Sequence, residues 1–118
     1  MTHKMRLADS PFEMIKNGEK TVELRLYDEK RRALSVGDVI CFERMGEGCE
    51  SLTVKVVALH VYHSFEELYR SLPLLSCGYL ECEIESASYT DMYEYYTSDE
   101  EKKWGVVGIE IEIIPNIC

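Results

Sequence analysis

The chain of 118 residues is 46% hydrophobic, so it is long and apolar enough to bury one core. Its formal net charge of −9 at pH 7 excludes the dominant basic surface of proteins that grip long nucleic acids through many phosphates. It has no window of about 18 continuous apolar residues, and no apolar signal-peptide stretch follows residues 1–6. We therefore expect a cytoplasmic protein without a membrane partner.

Charge is distributed unevenly along the chain. The first third holds most of the basic residues, whereas residues 79–112 are strongly acidic apart from Lys102 and Lys103. Any contact with nucleic acid is therefore expected to be local. A nucleotide or a short single-stranded RNA at the basic N-terminal side fits this distribution.

The cysteines favour reduced structural thiols. There are five, without a C-x-x-C pair: Cys41, Cys49, Cys77, Cys82 and Cys118. This odd number lacks the spacing of zinc ligands, and Cys41 lies in an apolar run that suits a buried thiol. His60 and His63 lie near the end of a predicted strand, but no third ligand accompanies them. The sequence predicts neither a metal site nor a cofactor.

The N-terminal third predicts a strand, a helix and a second strand. Residues 3–7 form the first strand, and Ser10 with Pro11 starts a helix capped by Asp9 or Ser10. Gly18 ends this helix. The second strand then alternates cleanly. One face carries apolar residues, namely Val22, Leu24 and Leu26. The other carries Thr21, Glu23 and Arg25, with Lys20 at the entry.

The middle of the chain predicts a loop or short helical turn over residues 27–32 and a glycine turn over 35–38. A strand over 39–44 and a hairpin loop over 45–50 follow. The longest strand covers 51–63, and its apolar residues change phase part-way, which is typical of a β-bulge.

The last third predicts two helices and a final strand. Ser64 and Glu67 form a capping box before a helix that Pro73 ends. Residues 74–89 predict loop with a short turn, and a second short helix begins at Ser98. The final strand, residues 106–114, directs alternate residues inward: Val107, Ile109, Ile111 and Ile113. About five or six mostly antiparallel strands, flanked by short helices, predict one α+β domain over residues 1–118 with a small curled sheet or barrel.

Several motifs together resemble the ASCH domain family, of the PUA-like superfamily, over nearly the whole chain. The longest is Pro11-Phe12-x-x-Ile15-x-x-Gly18-x-Lys20-Thr21-x-Glu23-x-Arg25. The others are Val36-Gly37-Asp38-x-Ile40, Tyr95-Tyr96-Thr97 and Gly105-Val106-Val107-Gly108-Ile109. The resemblance implies a PUA-like β-barrel with a cleft beside the second strand that holds RNA or a nucleotide. It also places Tyr96 and Thr97 near that cleft.

Some ASCH proteins resemble amidohydrolases that deacetylate N4-acetylcytidine, and others have been linked to RNA cleavage. In the deacetylating branch, a lysine at the place of Lys20 works with a threonine at the place of Glu23. Here a carboxylate replaces that hydroxyl, so Glu23 is not the same nucleophile or hydroxyl relay.

Three residues are the candidates for chemistry. Lys20 suits a phosphate partner, general base or electrostatic stabiliser, and Arg25 suits bidentate recognition of a phosphate or base edge. Glu23 suits a base or an acceptor for an exocyclic amine. The alternative is a solvated strand face with a weak ion pair. Tyrosines at 93, 95 and 96 suit either base stacking or ordinary packing.

Two functions follow from these residues. One is a binding module for a nucleotide, nucleoside or short RNA, with Lys20, Glu23, Arg25, Tyr96 and Thr97 as ligand-binding residues. The other is a hydrolase acting on a modified nucleoside or on RNA, with Lys20 and Glu23 as catalytic residues.

Overall fold

The computed structural model describes residues 1–46 and 50–115, in which five strands form one curled, half-barrel sheet. The strands are β1 (Thr2–Leu7), β2 (Val22–Leu26), β3 (Val39–Arg44), β4 (Ser51–Tyr62) and β5 (Val106–Ile113). Their order is β1-β3-β4-β5-β2. The β1–β3 pair is parallel and the other three neighbouring pairs are antiparallel, so the sheet is mixed.

Short helices flank the sheet, as the sequence predicts. They are α1 (Asp9–Lys16), α2 (Glu29–Arg32), α3 (Phe65–Ser71) and α4 (Ser98–Trp104). Two 3₁₀ helices, Glu81–Glu83 and Tyr89–Glu94, lie in the long connection between α3 and α4. No helix within the described residues is long and apolar enough to cross a membrane.

The bulge predicted in β4 is confirmed. The pairing of β4 with β5 shifts register between Val56 and Ala58, where the apolar residues change phase. The inserted residue bends the strand, which lets β4 pair with β3 along its first half and with β5 along most of its length.

Two predicted helix starts need correction. Helix α1 is preceded by Ala8, which makes no side-chain capping bond, so neither Asp9 nor Ser10 is its cap. Ser64 does cap α3 by accepting a hydrogen bond from the backbone N–H of Glu67. The Glu67 carboxylate, however, accepts from the N–H of His63, so the predicted reciprocal capping box does not form.

The sheet carries a hydrophobic cluster on each face. The larger includes Phe12, Ile40, Phe42, Val107 and Ile109. The smaller joins one face of β2 to α3 and consists of Val22, Leu24, Leu26, Phe65, Leu68, Cys77 and Val106. Consecutive residues of β5 are therefore buried at its start, whereas Ile113 is 36% exposed. Ile113 lies opposite Val54 of the larger cluster and so faces the predicted side, but the cluster does not cover it at the end of the strand.

The three cysteines within the described residues are free thiols. Cys77 is buried, Cys41 is half-buried and Cys82 is exposed. The expectations for Cys49 and Cys118, and for residues 47–49 of the predicted 45–50 loop, concern positions outside the described residues.

Candidate functional site

The polar residues of β2 face the larger hydrophobic cluster. Glu23 pairs with Ile109 and Arg25 with Val107 in the antiparallel β2–β5 ladder, and directly opposed residues share a face. Ile109 and Val107 belong to that larger cluster. The polar face of β2 is therefore not solvated: Glu23 is only 4% exposed.

Two cations hold the buried carboxylate of Glu23. Lys20 Nζ lies 2.8 Å from one carboxylate oxygen, Oε1. Nε and Nη2 of Arg25 each lie 2.8 Å from the other, Oε2. We call this group the Lys20–Glu23–Arg25 trio. Both oxygens of Glu23 are thus occupied by charged donors, which compensates the burial of its charge.

Opposing effects act on the pKa of Glu23. Burial alone would raise it, but the charges and hydrogen bonds of Lys20 and Arg25 outweigh burial and lower it below its ordinary value. Glu23 is therefore ionised at neutral pH. A carboxylate with a lowered pKa and no free oxygen is poorly suited to take a proton from a substrate.

Arg25 also joins the two edges of the sheet. Its Nη2 donates a hydrogen bond of 2.8 Å to the backbone carbonyl of Arg6 on β1. Because β1 and β2 are the outermost strands, this side chain spans the opening of the half-barrel. The trio is thereby placed where the curled sheet is open.

A cleft of about 860 Å³ lies at this opening. All three members of the trio line it, together with residues 6–8 and the start of α1. Met14, Leu24 and Met45 also contribute. The remaining lining residues come from α3 and the following connection: Tyr69, Cys77, Gly78, Tyr79, Asp91, Met92, Glu94, Tyr95 and Tyr96. This lining combines cationic, anionic and aromatic side chains.

The loop around Gly78 packs directly on Lys20. The Ser76 carbonyl accepts hydrogen bonds from the N–H groups of Thr21 and Val22, which fixes the loop to the start of β2. A Cβ added to Gly78 would lie 3.1 Å from Cδ of Lys20. Burial raises the pKa of the adjacent Cys77 thiol to about 11, so this thiol stays protonated at neutral pH and is not a nucleophile.

The three tyrosines near the cleft differ in their surroundings. Tyr96 lines the cleft and stacks on Phe65, with ring centroids 5.9 Å apart and planes at 17°. Tyr95 also lines the cleft but is 72% exposed, so its ring is free for a ligand. Tyr93 lies outside the lining and donates a hydrogen bond to Glu101.

Thr97 has a different structural position from the one expected. It is absent from the cleft lining, and its hydroxyl caps α4 by accepting from the N–H of Glu100. The Glu100 carboxylate accepts from the Thr97 N–H in return. Because Thr97 directly follows Tyr96, this capping box fixes the chain just after the cleft.

The family model for the ASCH domain matches residues 5–115. The chain belongs to the ASCH domain family. ASCH domains are generally regarded as RNA-binding domains. No curated protein matches the chain.

Solved structures agree with the ASCH assignment. The crystal structure of hypothetical protein PH0355 is 40% identical to this chain and superposes with a TM-score of 0.79, covering 97% of this chain and 100% of that one. The NMR structure of protein PF0455 from Pyrococcus furiosus is 39% identical, with a TM-score of 0.71 and coverage of 97% and 98%. A variant of ZmASCH from Zymomonas mobilis, at 13% identity, shares the fold with a TM-score of 0.65, covering 98% of this chain and 76% of that one.

The polar residues of this cleft that the sequence did not indicate include Tyr69, Tyr79 and Asp91. Tyr69 lies on α3, and the other two lie in the long connection between α3 and α4. That connection has no regular apolar period, so its residues could not be assigned to a face. The only available signal was the combination of aromatic and acidic residues within one loop.

Other charged candidates lie outside the cleft. In the basic run at residues 30–32, Arg31 pairs with Asp28, while Arg32 donates to the carbonyls of Tyr27 and Trp104. His60 lies 3.0 Å from Glu110. Within residues 1–46 and 50–115, no group of three or more His, Cys, Asp or Glu side chains is arranged to hold a metal ion.

Proposed function

We propose that this chain is an ASCH-type binding module for a nucleotide or a short single-stranded RNA, which it holds in the cleft at the opening of the half-barrel. The observation that carries the proposal is the trio beside an aromatic-lined cleft. Two cations and one carboxylate leave one net positive charge in the trio, while the rest of the lining adds the cation Arg6 and the carboxylates Asp91 and Glu94. This local charge attracts a phosphate even though the whole chain carries −9.

Lys20 and Arg25 contact the phosphate or a base edge in this proposal, and Glu23 acts indirectly by holding both cations. Tyr95 supplies the stacking surface, because it is the exposed tyrosine of the cleft. Tyr96 supports the cleft wall through its packing on Phe65. Thr97 positions Tyr96 through the cap of α4. Base stacking on an aromatic ring contributes about 1–3 kcal/mol per base.

Binding is favoured over hydrolysis by the state of Glu23. A catalytic base needs a free oxygen and a pKa near the working pH. Glu23 has both oxygens engaged and a lowered pKa. A carboxylate beside the oxyanion of amide hydrolysis would also raise the barrier. The proposal therefore includes poor deacetylation of N4-acetylcytidine.

Two further properties belong to the proposal. The half-barrel is a PUA-like barrel left open at the ligand cleft, and residues 1–118 act as one ASCH domain. The protein works in the cytoplasm, a compartment that suits its free thiols at positions 41, 77 and 82.

The test is a panel of nucleosides, nucleotides and short single-stranded RNAs, read by thermal shift and calorimetry. A ligand that binds only the folded chain raises its melting temperature by mass action. Tyr95→Ala should weaken binding by about 5- to 150-fold through lost stacking, without changing stability. Leu80→Ala is the matched control, because Leu80 is an exposed apolar residue outside the cleft lining.

Two results would contradict the proposal. One is the absence of any shift across the panel at millimolar ligand. The other is efficient release of cytidine from N4-acetylcytidine by the wild-type protein, lost in Glu23→Thr, which would make Glu23 a catalytic base and the protein a hydrolase.

A further inference from the structure

Three cleft residues outside the trio form a chain of hydrogen bonds. The hydroxyl oxygens of Tyr69 and Tyr79 are 2.7 Å apart, and the Tyr79 hydroxyl donates to Oδ2 of Asp91 over 2.7 Å. All three residues line the same cleft as the trio. Nothing in the proposed function so far uses them. We call this group the tyrosine relay.

The two hydrogen bonds of the relay run in one direction, from Tyr69 through Tyr79 to Asp91. The Tyr79 hydroxyl donates to the Asp91 carboxylate, and this hydrogen bond uses the single proton of Tyr79. The Tyr79 oxygen then accepts, which requires Tyr69 to donate its own proton to Tyr79. The Tyr69 oxygen is left with unused lone pairs and no proton to offer. It is an acceptor in the cleft.

The surrounding structure holds this arrangement in place. The N–H of Ser88 donates to the same Oδ2 of Asp91, which fixes the carboxylate. The rings of Tyr69 and Tyr79 pack edge to face with centroids 5.8 Å apart. Burial is the largest cause that raises the pKa of both tyrosines, so both keep their protons at neutral pH.

Hydrogen-bond donors and acceptors therefore lie in different parts of the cleft. Lys20 and Arg25 supply only donors. Glu23, the acceptor expected from the sequence for an exocyclic amine, has both oxygens taken by those cations. Among the other lining side chains, acceptor capacity is left on Tyr69 and on the exposed carboxylates of Asp91 and Glu94, and of these only Tyr69 and Asp91 belong to the tyrosine relay.

We propose that the tyrosine relay selects ligands whose base presents an N–H donor, such as the exocyclic amine of adenine or cytosine. This inference rests on the proposed function, because it assigns base selectivity to the same nucleotide cleft. The phosphate lies at the cations and the amine at the Tyr69 oxygen. A base that lacks the amine leaves that acceptor without a partner.

The test compares AMP and CMP with the same nucleotides carrying hydrogen in place of the amine, by isothermal titration calorimetry. This exchange removes the donor without adding another. Wild type should prefer each amino nucleotide by about three- to tenfold, the value of one hydrogen bond. Tyr69→Phe should abolish the preference. Tyr79→Phe should reduce it, because the Tyr69 hydroxyl then lacks its acceptor and can turn its proton toward the ligand. Tyr93→Phe is the control, since its hydroxyl lies outside the cleft lining and bonds Glu101.

The outcomes separate the inference from the proposed function. Loss of preference in Tyr69→Phe with retention in Tyr93→Phe supports the relay. Binding without a preference in wild type, or a preference unchanged in both relay variants, overturns the inference and leaves the nucleotide cleft intact. Failure of every nucleotide to bind overturns both. Unfolding curves for each variant verify that the fold is retained, and the two relay variants provide independent tests if one is unstable.

Discussion

The molecule contains two groups of ion pairs that differ in burial. In the Lys20–Glu23–Arg25 trio, the carboxylate is buried and faces the larger hydrophobic cluster. In the second group, Arg44 contacts three carboxylates, one of which also pairs with Lys16. We call this group the Arg44 cluster, and it consists of Arg44, Lys16, Asp9, Glu13 and Glu50. The side chain of Glu50 is 45% exposed.

The comparison shows that burial, and not the number of ion pairs, marks the candidate site. The Arg44 cluster has more ion pairs, yet water screens them and Arg44 is absent from the cleft lining. The trio has fewer, but its charges are desolvated and border the cleft. The predictions below test this distinction and the position of the trio in the cleft.

The largest expected effect is the loss of stability in Glu23→Gln. This change leaves Lys20 and Arg25 without their carboxylate, and breaking a buried ion pair costs about 3–5 kcal/mol. We expect about 3 kcal/mol, the lower end of that range, because both cations border the cleft and water reaches them there. Urea unfolding followed by the fluorescence of the single tryptophan, Trp104, measures the change.

The control for this prediction is Glu50→Gln in the Arg44 cluster. Its urea midpoint should stay close to that of wild type, because the lost pairs are exposed and Arg44 keeps Asp9 and Glu13. Equal losses in the two variants would contradict the distinction between the groups.

Acid should remove the contribution of the trio to the free energy of unfolding. The folded-state pKa of Glu23 lies below its ordinary value of 4.5, so the unfolded chain takes up this proton first as the pH falls. The stability that Glu23 contributes is therefore complete above the unfolded-state pKa and is lost as the pH falls through the folded-state pKa. The difference in unfolding free energy between wild type and Glu23→Gln should shrink in that range.

Urea unfolding of both proteins from neutral pH down to about pH 3 measures this difference. Glu50→Gln, compared with wild type over the same range, shows how much of any acid effect comes from the exposed cluster. A difference for Glu23→Gln that stays constant down to the acid limit would mean that the carboxylate is not held by its cations.

Local features of the fold were predictable from the sequence because they depend on neighbouring residues. The phase change in β4 predicted its bulge, and Gly18 and Ser64 predicted the end of α1 and the start of α3. The parallel β1–β3 pair was not specified, since pairing joins residues far apart in sequence. The burial of Glu23 was not specified either, because alternation separates the two faces of β2 but does not indicate what covers each face.

The candidate site was predictable only in part for the same reason. The spacing of Glu23 and Arg25 indicated that they share a face, because alternate residues of a strand point to one side, whereas alternation did not fix the direction of Lys20 at the strand entry. The tyrosine relay depends on how a loop without periodicity folds over the cleft. Thr97 fits both a ligand contact and a helix cap in sequence, and the structure uses its hydroxyl as the cap.

Salt should weaken RNA binding only moderately. Contacts to about two or three phosphates predict a slope of log affinity against log salt near −1.4 to −2.1 for a single strand. Lys20→Gln should reduce the magnitude of the slope by about 0.7, the loss of one phosphate contact. Lys16→Gln in the Arg44 cluster should leave it unchanged. A slope as steep as that of a general DNA-binding protein would contradict a local site.

The smallest expected effect is a few-fold loss of affinity in Gly78→Ala. Gly78 has a φ of 106°, and its added Cβ would lie 3.1 Å from Cδ of Lys20, so the lysine must shift by a few tenths of an ångström. Gly37, with a φ of 97°, has nothing within 4 Å of its added Cβ. Both substitutions should cost about 1–2 kcal/mol in stability from backbone strain.

Only Gly78→Ala should change ligand binding, because only there does the new methyl group press on the trio. A shifted ammonium weakens part of one charged hydrogen bond, so we expect about a two- to fivefold loss of nucleotide affinity. Calorimetry on both variants, at a temperature where each is folded, measures it. Equal affinities for the two variants would show that the position of Lys20 against the Gly78 loop does not matter for binding, and that its role in the cleft is limited to neutralising Glu23.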